Sequence, residues 1–513
     1  MNVSKNTNET LLEISTRPYL YYLSKKYKSP IKKLSLIPME ELDFFQNLGF
    51  NMIWFMGVWN NGTEGRKFDL NDESRIKQYN HHLPNWSKDD VIGSPYSIYS
   101  YDPSPEIGNL EDLKWLKNEL NKRSIKLILD FVPNHSSMDA PEIKSHPEYY
   151  IRKGRLKSKI KLTEEDNKYI YNDKKIEKIP KEEKYDKNGF AYGRGLGVKH
   201  PWKDVRQYDY SNKELWKFQL NNLKKIAQCC DGIRCDVAWL MISDIFKRCF
   251  KTMNGTKEEF WTFAISEIRK ICPNIIFIAE VFGKKWISDF LLQCGFNFVY
   301  DIEPYDILSL IKDNNININE FIERNNNFEK DYLFNTIHFS ENHDLITIIE
   351  KLEGNVNKAN LLTAIVCFLP GIKMFNYGQI FGWKDTLCVQ LRRILSYEIN
   401  NDVLNFYTKL IKILNLDVVK KGKFRISLNQ HLINIKWYND KEILIGYFNY
   451  NEHSKKGKLV IDGIAEIKNK KFEVKDLIED KLCESFINNN NCIDFNLDSY
   501  QMKIYLISLI NEI

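Results

Sequence analysis

Two acidic residues close short apolar runs in the middle of the chain. Asp236 ends the run CCDGIRCD, and Glu280 follows the apolar residues of NIIFIAEV. Arg234 lies two residues before Asp236, so on a strand both side chains project to the same face, and the guanidinium favours an ionised carboxylate. An ionised Asp is the form that a nucleophile requires. The apolar approach to Glu280 disfavours its charged form, which suits a general acid that later acts as a base.

A pair of acids with these properties is what cleavage of a glycosidic bond with retention of configuration requires. The two carboxyl groups then lie about 5 to 5.5 Å apart and flank an oxocarbenium-like transition state. The segment ENHD adds His343 and Asp344, a ring that can hydrogen-bond sugar hydroxyls and a carboxylate that can stabilise positive charge. Taken singly, each acid could equally be an ion-pairing or loop-capping carboxylate. Their joint occurrence at the ends of apolar runs favours a catalytic site.

The apolar runs themselves predict the scaffold. From about residue 50 to 380, seven short runs that end in polar residues alternate with helical-looking stretches, which is typical of β/α units. The segment Ser97 to Asp102 is expected on or beside the second strand and brings the number to eight. We therefore predict an α/β protein with a (β/α)8 TIM barrel, whose working residues gather at the C-terminal ends of its strands. The seven runs are FNMIWFMGVW, IKLILDFVPNH, CCDGIRCD, NIIFIAEV, FNFVYDIE, LFNTIHFSENHD and IKMFNYGQ.

Two further regions surround this barrel. Between the third and fourth strands lie about 90 residues, more than one helix needs, which predicts an inserted subdomain of the B type. After about residue 400 short alternating strands separated by Asn, Asp and Gly predict a C-terminal antiparallel β-sandwich. The predicted division is 1–135 for the first part of the barrel, 136–228 for the insert, 229–398 for the rest of the barrel and 399–513 for the sandwich.

Bulk composition excludes several classes of protein. Seventy-four Lys and Arg against 68 Asp and Glu leave a net charge of +6, too little to indicate nucleic-acid binding. The basic stretch 152–187 is interleaved with acids and reads as a solvated face or a flexible insert. No run approaches the ~20 apolar residues that cross a bilayer, and the N-terminal segment has no signal-peptide core, so we expect a cytoplasmic protein with no membrane association. The ten cysteines lack metal-binding spacing, and Cys235 reads as a small buried strand residue rather than a nucleophile.

Four segments resemble, in order and spacing, the conserved regions of the α-amylase family, glycoside hydrolase family 13. DFVPNH is similar to region I, GIRCD to region II, IAEV to region III and ENHD to region IV. The resemblance implies that Asp236 is the nucleophile, Glu280 the acid/base and Asp344 the stabiliser of the transition state. It also implies an α-glucan or oligosaccharide substrate, sugar contacts around the acids and one supporting carboxylate. The implied contacts come from Tyr96, which stacks on the sugar, and from His135, Arg234 and His343, with Asp130 as structural support.

The resemblance runs from about residue 35 to 395 and includes some departures. GSPYSIYSYDPSPEIGNLEDL, WKDVRQYDYSN and PGIKMFNYGQ are similar to the family's second-strand, insert-end and eighth-strand segments. Where many α-amylases carry Lys-His after the nucleophile, this chain has Trp239 and Leu240, and Gly93 replaces the Asp of many exo-acting α-glucosidases. These changes argue against starch-type calcium binding and a strict exo mode, and they make Trp239 a candidate platform for a sugar ring.

Calcium remains open at one place in this scheme. Asn134 matches a calcium ligand of many relatives, and Asp204 or Asp209 are its candidate oxygen partners. We therefore expect no required cofactor, with calcium as the single metal left to consider.

Three alternatives stay beside the hydrolase hypothesis. A glucan transglycosylase or isomerase of the same family differs only in whether water or a sugar hydroxyl attacks the intermediate, and the motifs do not separate the two. A carbohydrate-binding subunit without activity is disfavoured because all three acids and Arg234 are present. A metal-dependent barrel hydrolase would need clustered His and Asp ligands, which the sequence lacks.

Overall fold

The chain is organised around a closed parallel barrel. A computed structural model describes residues 8–154, 184–195, 201–250, 258–304, 306, 318–328, 330–460, 472–483 and 492–509. Each barrel strand pairs in parallel with its neighbours in chain order, and the last strand closes onto the first. The predicted TIM barrel is thereby confirmed. Its strands are β1 (Thr10–Ser15), β2 (Met52–Met56), β3 (Lys126–Phe131), β4 (Gly232–Cys235), β5 (Ile276–Ala279), β6 (Phe298–Tyr300), β7 (Thr336–His338) and β8 (Ile372–Asn376).

Helices cover the outside of the barrel and fill the connections between its strands. Most follow a barrel strand, as β/α units require. Within the described ranges the α-helices are Thr16–Lys26, Met39–Leu48, Thr63–Asp69, Glu73–His82, Leu110–Lys122, Glu142–Ser145, Lys213–Cys229, Ser243–Phe250, Phe260–Ile271, Lys285–Gln293, Ile318–Asn327, Lys330–Phe334, Ile348–Lys351, Val356–Cys367, Tyr377–Ile380, Asn401–Leu414 and Asp417–Lys421. Short 3-10 helices occupy Leu34–Leu36, Lys88–Asp90, Pro147–Tyr149 and Ala238–Met241.

The first barrel strand differs from the sequence-based prediction. All seven apolar runs contain a barrel strand, but the segment Ser97 to Asp102, expected on or beside the second strand, does not supply the eighth one. Residues Ile98–Pro103 pair in antiparallel fashion with Trp59–Asn61 outside the barrel, and only two of their six side chains are buried. The missing barrel strand is Thr10–Ser15, which is almost wholly buried and carries Glu13 near its centre. The charged Glu13 interrupts the apolar run that would otherwise predict the buried strand Thr10–Ser15. The alternating tyrosines of Ile98–Pro103 are typical of a strand, although this strand lies outside the barrel.

The insert returns to the barrel along one strand. Trp202–Gln207 is the central strand of a three-stranded antiparallel sheet, between His135–Ser137 and Tyr192–Gly193. Helix Lys213–Cys229, which begins within the predicted range 136–228, contacts barrel strands β3 and β4. Most of the basic stretch 152–187 lies outside the described residues.

The C-terminal region forms two packed antiparallel sheets. The larger has the order Lys423–Asn429, Leu432–Tyr438, Glu442–Phe448, Met502–Leu509, Phe472–Asp476 and Lys481–Leu482, and the smaller pairs Lys455–Val460 with Cys492–Leu497. Phe495 and Leu497 of the small sheet share a buried cluster with Tyr447 and Tyr505 of the large one. The large sheet docks on the barrel through buried Trp437, whose Nε1 donates to the carbonyl of Phe368 at 2.9 Å.

Two bulk features of the described ranges bear on function. No helix among them is long and apolar enough to cross a bilayer. Nine cysteines are described and all are free.

Candidate active site

The guanidinium of Arg234 lies at the centre of the acidic cluster. It is 1% exposed, and its Nη1 donates to Oδ1 of Asp236 at 2.7 Å. Its Nη2 forms an ion pair with Oε1 of Glu280, and Oδ1 of Asp130 lies 3.6 Å from Nη1. One planar cation therefore holds two of the three predicted catalytic carboxylates side by side.

The pairing register of the barrel strands places Asp236 and Glu280 beside Arg234. β3 and β4 pair Asp130 with Arg234, and β4 and β5 pair Arg234 with Ile278. Asp236 and Glu280 each lie two residues beyond one of these paired positions, so they project to the same side of the sheet. The C-terminal ends of the strands thus bring together acids that are far apart in sequence.

Aromatic rings enclose the same guanidinium. The centroids of Trp54, Tyr96 and Tyr300 lie 4.8, 5.5 and 5.8 Å from the Arg234 Cζ. Burial alone would lower the pKa of Arg234, but Glu280, the two tyrosines and Asp236 raise it well above its usual value. The guanidinium is therefore a permanent charge in a water-poor setting, where its attraction to the carboxylates is strong.

Glu280 is held at both carboxylate oxygens. Oε1 meets Arg234, and Oε2 accepts a hydrogen bond from the Val237 backbone N–H at 2.6 Å. Burial raises the pKa of Glu280 to about 8, with further increases from Asp236 and Asp344, while Arg234 opposes the change. Burial thus favours the protonated form that a general acid needs, against the opposing effect of Arg234.

The backbone that presents the Val237 amide is strained. Val237 has φ 37° and ψ 43°, a left-handed conformation that β-branched residues rarely adopt. The turn directly follows Asp236, and it points one N–H at the neighbouring acid while Ala238 N donates to the Glu280 carbonyl at 3.0 Å. The strained backbone at Val237 thus holds the carboxylate of Glu280 in place through this N–H.

His343 links Asp344 to the first barrel strand. Its Nδ1 lies 2.5 Å from Oε1 of Glu13, and its Nε2 lies 2.8 Å from Oη of Tyr96 and 3.3 Å from Oδ2 of Asp344. Burial lowers the pKa of His343, but Asp344 and Glu13 together outweigh it and raise the pKa to about 9. His343 is therefore an imidazolium at neutral pH that can donate from both ring nitrogens.

Asp344 differs from the other two acids in its exposure. Its side chain is 50% exposed, against 10% for Asp236 and 3% for Glu280. It follows β7 in the chain and lines the same cleft as the other two acids. A bound sugar ring would cover this carboxylate and exclude water from it.

His135 lies on the insert side of the cleft. Its ring packs against Trp202 with centroids 5.4 Å apart, and burial lowers its pKa. It is therefore a neutral imidazole that can both donate and accept hydrogen bonds. Burial also raises the pKa of Asp130 to about 6. The carboxyl group of Asp130 lies beside Arg234 and supports the cluster from its buried side.

A cleft of about 670 Å³ opens above these residues. Arg234 lies beneath it, and Trp239 contributes an indole whose Nε1 has no hydrogen-bond partner among the described residues. A buried donor without a partner is costly unless a ligand satisfies it. Burial raises the pKa of the neighbouring Cys235 thiol well above its usual value, which argues against a thiolate nucleophile. The cleft is lined by Tyr96, His135, Asp236, Trp239, Leu240, Glu280, Phe282, Asp344 and Val389.

The three candidate calcium ligands do not form a donor set. The Asn134 Oδ1 accepts a hydrogen bond from the Gln207 side chain at 2.9 Å. Asp209 Oδ1 accepts from the N–H and hydroxyl of Ser211, and Asp204 lines the cleft instead. In the described ranges no three His, Cys, Asp or Glu side chains group as metal ligands. The residues present do not fit a calcium ion.

Sequence reasoning missed several residues of this cluster. Glu13 and Tyr300 contact His343 and Arg234 from strands β1 and β6, and Val237 contacts Glu280. The one available signal was Glu13, a charge inside an apolar run. Neither the backbone turn at Val237 nor the approach of Tyr300 has a local sequence signal.

Comparison with known proteins places the chain in a family. The family model described as "Alpha amylase, catalytic domain" matches residues 38–409, more than half of the chain. Alpha-amylase 3 of Dictyoglomus thermophilum is 23% identical over 360 residues, 67% of this chain and 59% of the relative. The alpha-1,4-glucan:maltose-1-phosphate maltosyltransferase of Picrophilus torridus is 22% identical over 310 residues, 60% of this chain and 40% of the relative. The matched region thus spans less than two thirds of either relative.

Solved structures agree on the fold. A noncanonic maltogenic α-amylase from Thermotoga neapolitana superposes with a TM-score of 0.70 at 20% identity, covering 99% of this chain and 100% of the other. An α-amylase from Lactobacillus plantarum gives 0.69 at 19% identity, covering 97% and 98%. Identities this low show a common architecture, and the family match extends over most of it. The chain therefore belongs to the α-amylase family, glycoside hydrolase family 13.

Proposed function

We propose that the protein is a retaining glycoside hydrolase that cleaves α-glucosidic bonds in α-glucans or maltooligosaccharides. The observation that carries this proposal is the Arg234 guanidinium, which binds Asp236 through Nη1 and Glu280 through Nη2. Binding to the two terminal nitrogens of one guanidinium brings these carboxyl groups close together, and retaining catalysis needs its nucleophile and its acid to be neighbours. Their environments differ, since burial raises the pKa of Glu280 to about 8.

In the first step Asp236 Oδ attacks the anomeric carbon and forms an ester bond to it. Glu280 gives its proton to the glycosidic oxygen as that bond breaks, so the aglycone leaves with a free hydroxyl. In the second step Glu280, now a carboxylate, takes a proton from water, and the hydroxyl attacks the anomeric carbon while the ester to Asp236 breaks. Arg234 stays charged throughout and favours the carboxylate form of both acids.

The remaining residues position the sugar in this proposal. Asp344, half exposed in the cleft, stabilises the positive charge that develops on the ring. His135 hydrogen-bonds a sugar hydroxyl, and Tyr96 offers a ring face to the pyranose. His343, whose two ring nitrogens already meet Glu13, Tyr96 and Asp344, orients the Asp344 carboxylate instead of contacting the sugar as the sequence predicted. Trp239, which lines the cleft, offers its indole as a platform for the next sugar ring.

Transfer to a sugar hydroxyl is a second candidate, and one observation favours it. Trp239 and Leu240, buried residues that line the cleft directly after the Asp236 turn, stand where many relatives carry Lys-His. An apolar acceptor side disfavours water and favours a sugar ring as the attacking partner. A relative from Picrophilus torridus carries a maltosyltransferase name. A binding subunit without activity is disfavoured because both buried acids keep their partners.

The substrate class follows from the cleft and from the neighbours. The cleft of about 670 Å³ suits a few sugar units, and a structural neighbour from Geobacillus thermoleovorans is described as complexed with acarbose. A cytoplasmic location, predicted from the sequence, favours internal α-glucans over external starch.

Product analysis tests the proposal. The protein is incubated with maltoheptaose, glycogen and maltose, and the products are separated by chromatography. Hydrolysis gives shorter chains, transfer gives longer ones, and NMR of the first products gives the α anomer if configuration is retained. Asp236→Asn abolishes turnover, while Asp440→Asn, an exposed change in the C-terminal region, leaves it unchanged. Full activity in Asp236→Asn, or a β-anomeric product, contradicts the mechanism. Inactivity of the native protein on all three substrates supports the binding-subunit alternative.

A further inference from the structure

The insert meets the barrel at a buried amide. Strand Trp202–Gln207 runs beside His135–Ser137, and the register pairs Gln207 with His135. Asn134, just before this strand, and Gln207 both have no exposed surface. Their side chains therefore pack at the point where the inserted sheet joins the catalytic end of the barrel.

The Gln207 amide nitrogen meets three oxygens. Its Nε2 lies 2.8 Å from the Asn134 carbonyl, 2.9 Å from the Asn134 Oδ1 and 3.3 Å from the Tyr208 carbonyl. An amide nitrogen has two hydrogens, so one of these contacts is shared. Three oxygens that converge on one point, two of them backbone carbonyls, are the kind of group that binds a hard cation.

A cation and this amide exclude each other. Calcium lies about 2.3 to 2.6 Å from its oxygen ligands, whereas the nitrogen sits 2.8 to 3.3 Å from the same atoms. Both would occupy the same small volume between the oxygens. The nearest candidate carboxylate in sequence, Asp209, accepts from Ser211 instead, so the junction is built without the negative charge that a divalent ion needs.

The other atoms of the two amides are also satisfied. Gln207 Oε1 accepts from the Arg194 N–H at 3.1 Å. Asn134 Nδ2 lies 3.4 Å from the Arg194 carbonyl and 3.2 Å from Nδ1 of His135. The chain of hydrogen bonds thus runs from the insert through Gln207 and Asn134 to the imidazole that lines the cleft.

We propose that the Gln207 carboxamide takes the place of a divalent cation at this junction, so that the insert and His135 are held in position without calcium. A metal ion at this point would hold the oxygens of Asn134 and Tyr208 by electrostatic attraction. The amide does so by neutral hydrogen bonds, which chelators cannot remove. This stabilising role of Gln207 is independent of whether the protein hydrolyses or transfers sugars.

Thermal unfolding of the full chain tests the proposal. The native protein is dialysed against EDTA, and Tm is measured with EDTA and with excess CaCl2, while metal content is determined by atomic emission. The expected difference in Tm between EDTA and CaCl2 is less than about 1 °C, because a ligand that binds neither the folded nor the unfolded state leaves Tm unchanged. The expected calcium content is well below one ion per chain. A Tm that falls by several degrees in EDTA and recovers with CaCl2, or one bound calcium per chain, overturns the proposal.

A single substitution makes the test sharper. Gln207→Glu puts a carboxylate among the three oxygens, so its Tm falls in EDTA and rises again with CaCl2. Gln379→Glu is the matched control, since Gln379 is also buried and its Nε2 donates to Ser340 at 2.8 Å; its Tm falls and calcium does not restore it. If calcium restores neither variant, the three oxygens are not a cation-sized site and the proposal fails.

Discussion

Glu13→Gln isolates a charge behind the catalytic loop while keeping the shape of the side chain. Glu13 is fully buried on β1, its Oε1 lies 2.5 Å from His343 Nδ1, and its Oε2 accepts from Asn376 at 3.4 Å. The amide oxygen of the substituted side chain can still accept from the imidazole, so packing and the Nδ1 hydrogen bond persist. The negative charge is lost, together with the long hydrogen bond from Asn376 to Oε2, because an amide nitrogen does not accept.

The expected effect on the pKa of His343 is large. That pKa is raised to about 9, although burial by itself lowers it, because Asp344 and Glu13 both stabilise the imidazolium. A unit charge at about 4 Å and an effective dielectric constant of about 20 contributes about 4 kcal/mol, or about 3 pKa units. We therefore expect the variant to lower the pKa of His343 by about 2 to 3 units, to near its usual value.

The loss of the proton has a definite consequence. In the variant, neutral His343 keeps its hydrogen on Nδ1 to donate to the new amide oxygen, so Nε2 presents a lone pair to Asp344, 3.3 Å away. Repulsion between them misplaces the carboxylate that faces the sugar. Activity of the Glu13→Gln variant therefore falls as pH rises through about 6 to 7, whereas the native enzyme keeps an imidazolium across this range.

The assay is the pH profile of kcat/KM with maltoheptaose between about pH 5 and 9. Glu9→Gln is the control, because Glu9 is a partly exposed neighbour that pairs with Lys126. The reasoning is refuted if the Glu13→Gln profile overlays that of the native enzyme. A uniform loss at every pH would also refute it, since that result indicates a structural role only.

Three further predictions concern single groups. The native enzyme loses kcat/KM as pH rises through about 8, because Glu280 must be protonated to act as an acid and its pKa is raised to about 8 by burial; a flat profile to pH 9 would contradict this assignment. Trp239→Phe replaces the indole that lines the cleft with a smaller ring, so a sugar packed on it loses contact and KM rises about 3- to 10-fold with little change in kcat; an unchanged KM would exclude a sugar contact. Burial raises the pKa of Glu341 to about 8. At pH values between the usual pKa of a Glu and this raised pKa, the folded protein therefore binds more protons than the unfolded chain. The free energy of unfolding falls as pH rises through this window. Glu341→Gln keeps an acceptor for Ile348 N and removes this titration, so its Tm should exceed the native Tm increasingly as pH rises; parallel Tm curves would refute the assignment.

The parts of the cluster that sequence reasoning found are those with a local geometric rule. Arg234 and Asp236 are two apart on a strand, which is enough to place them on one face, and their atoms lie 2.7 Å apart. Apolar runs that end in polar residues predict seven of the eight barrel strands, because parallel strands buried on both faces read as continuous apolar stretches.

The parts that it missed depend on contacts between distant segments. Glu13 contacts His343 across most of the chain, and its charge interrupts the apolar pattern of the buried strand β1. The segment Ser97 to Asp102 is expected on or beside the second barrel strand, yet Ile98–Pro103 pairs outside the barrel. Whether the Asn134 oxygen faces a cation or the Gln207 amide depends on the path of the insert, which no spacing in the sequence reveals.

Trapping of the covalent intermediate identifies the nucleophile. In Glu280→Gln, α-maltosyl fluoride can still react with Asp236 because fluoride leaves without a proton, but water is no longer activated to break the ester. Mass spectrometry of the intact protein should show one added maltosyl group, and peptide analysis should place it on Asp236. An adduct on any other residue, or no adduct while the fluoride is consumed, contradicts the assignment of Asp236 as the nucleophile.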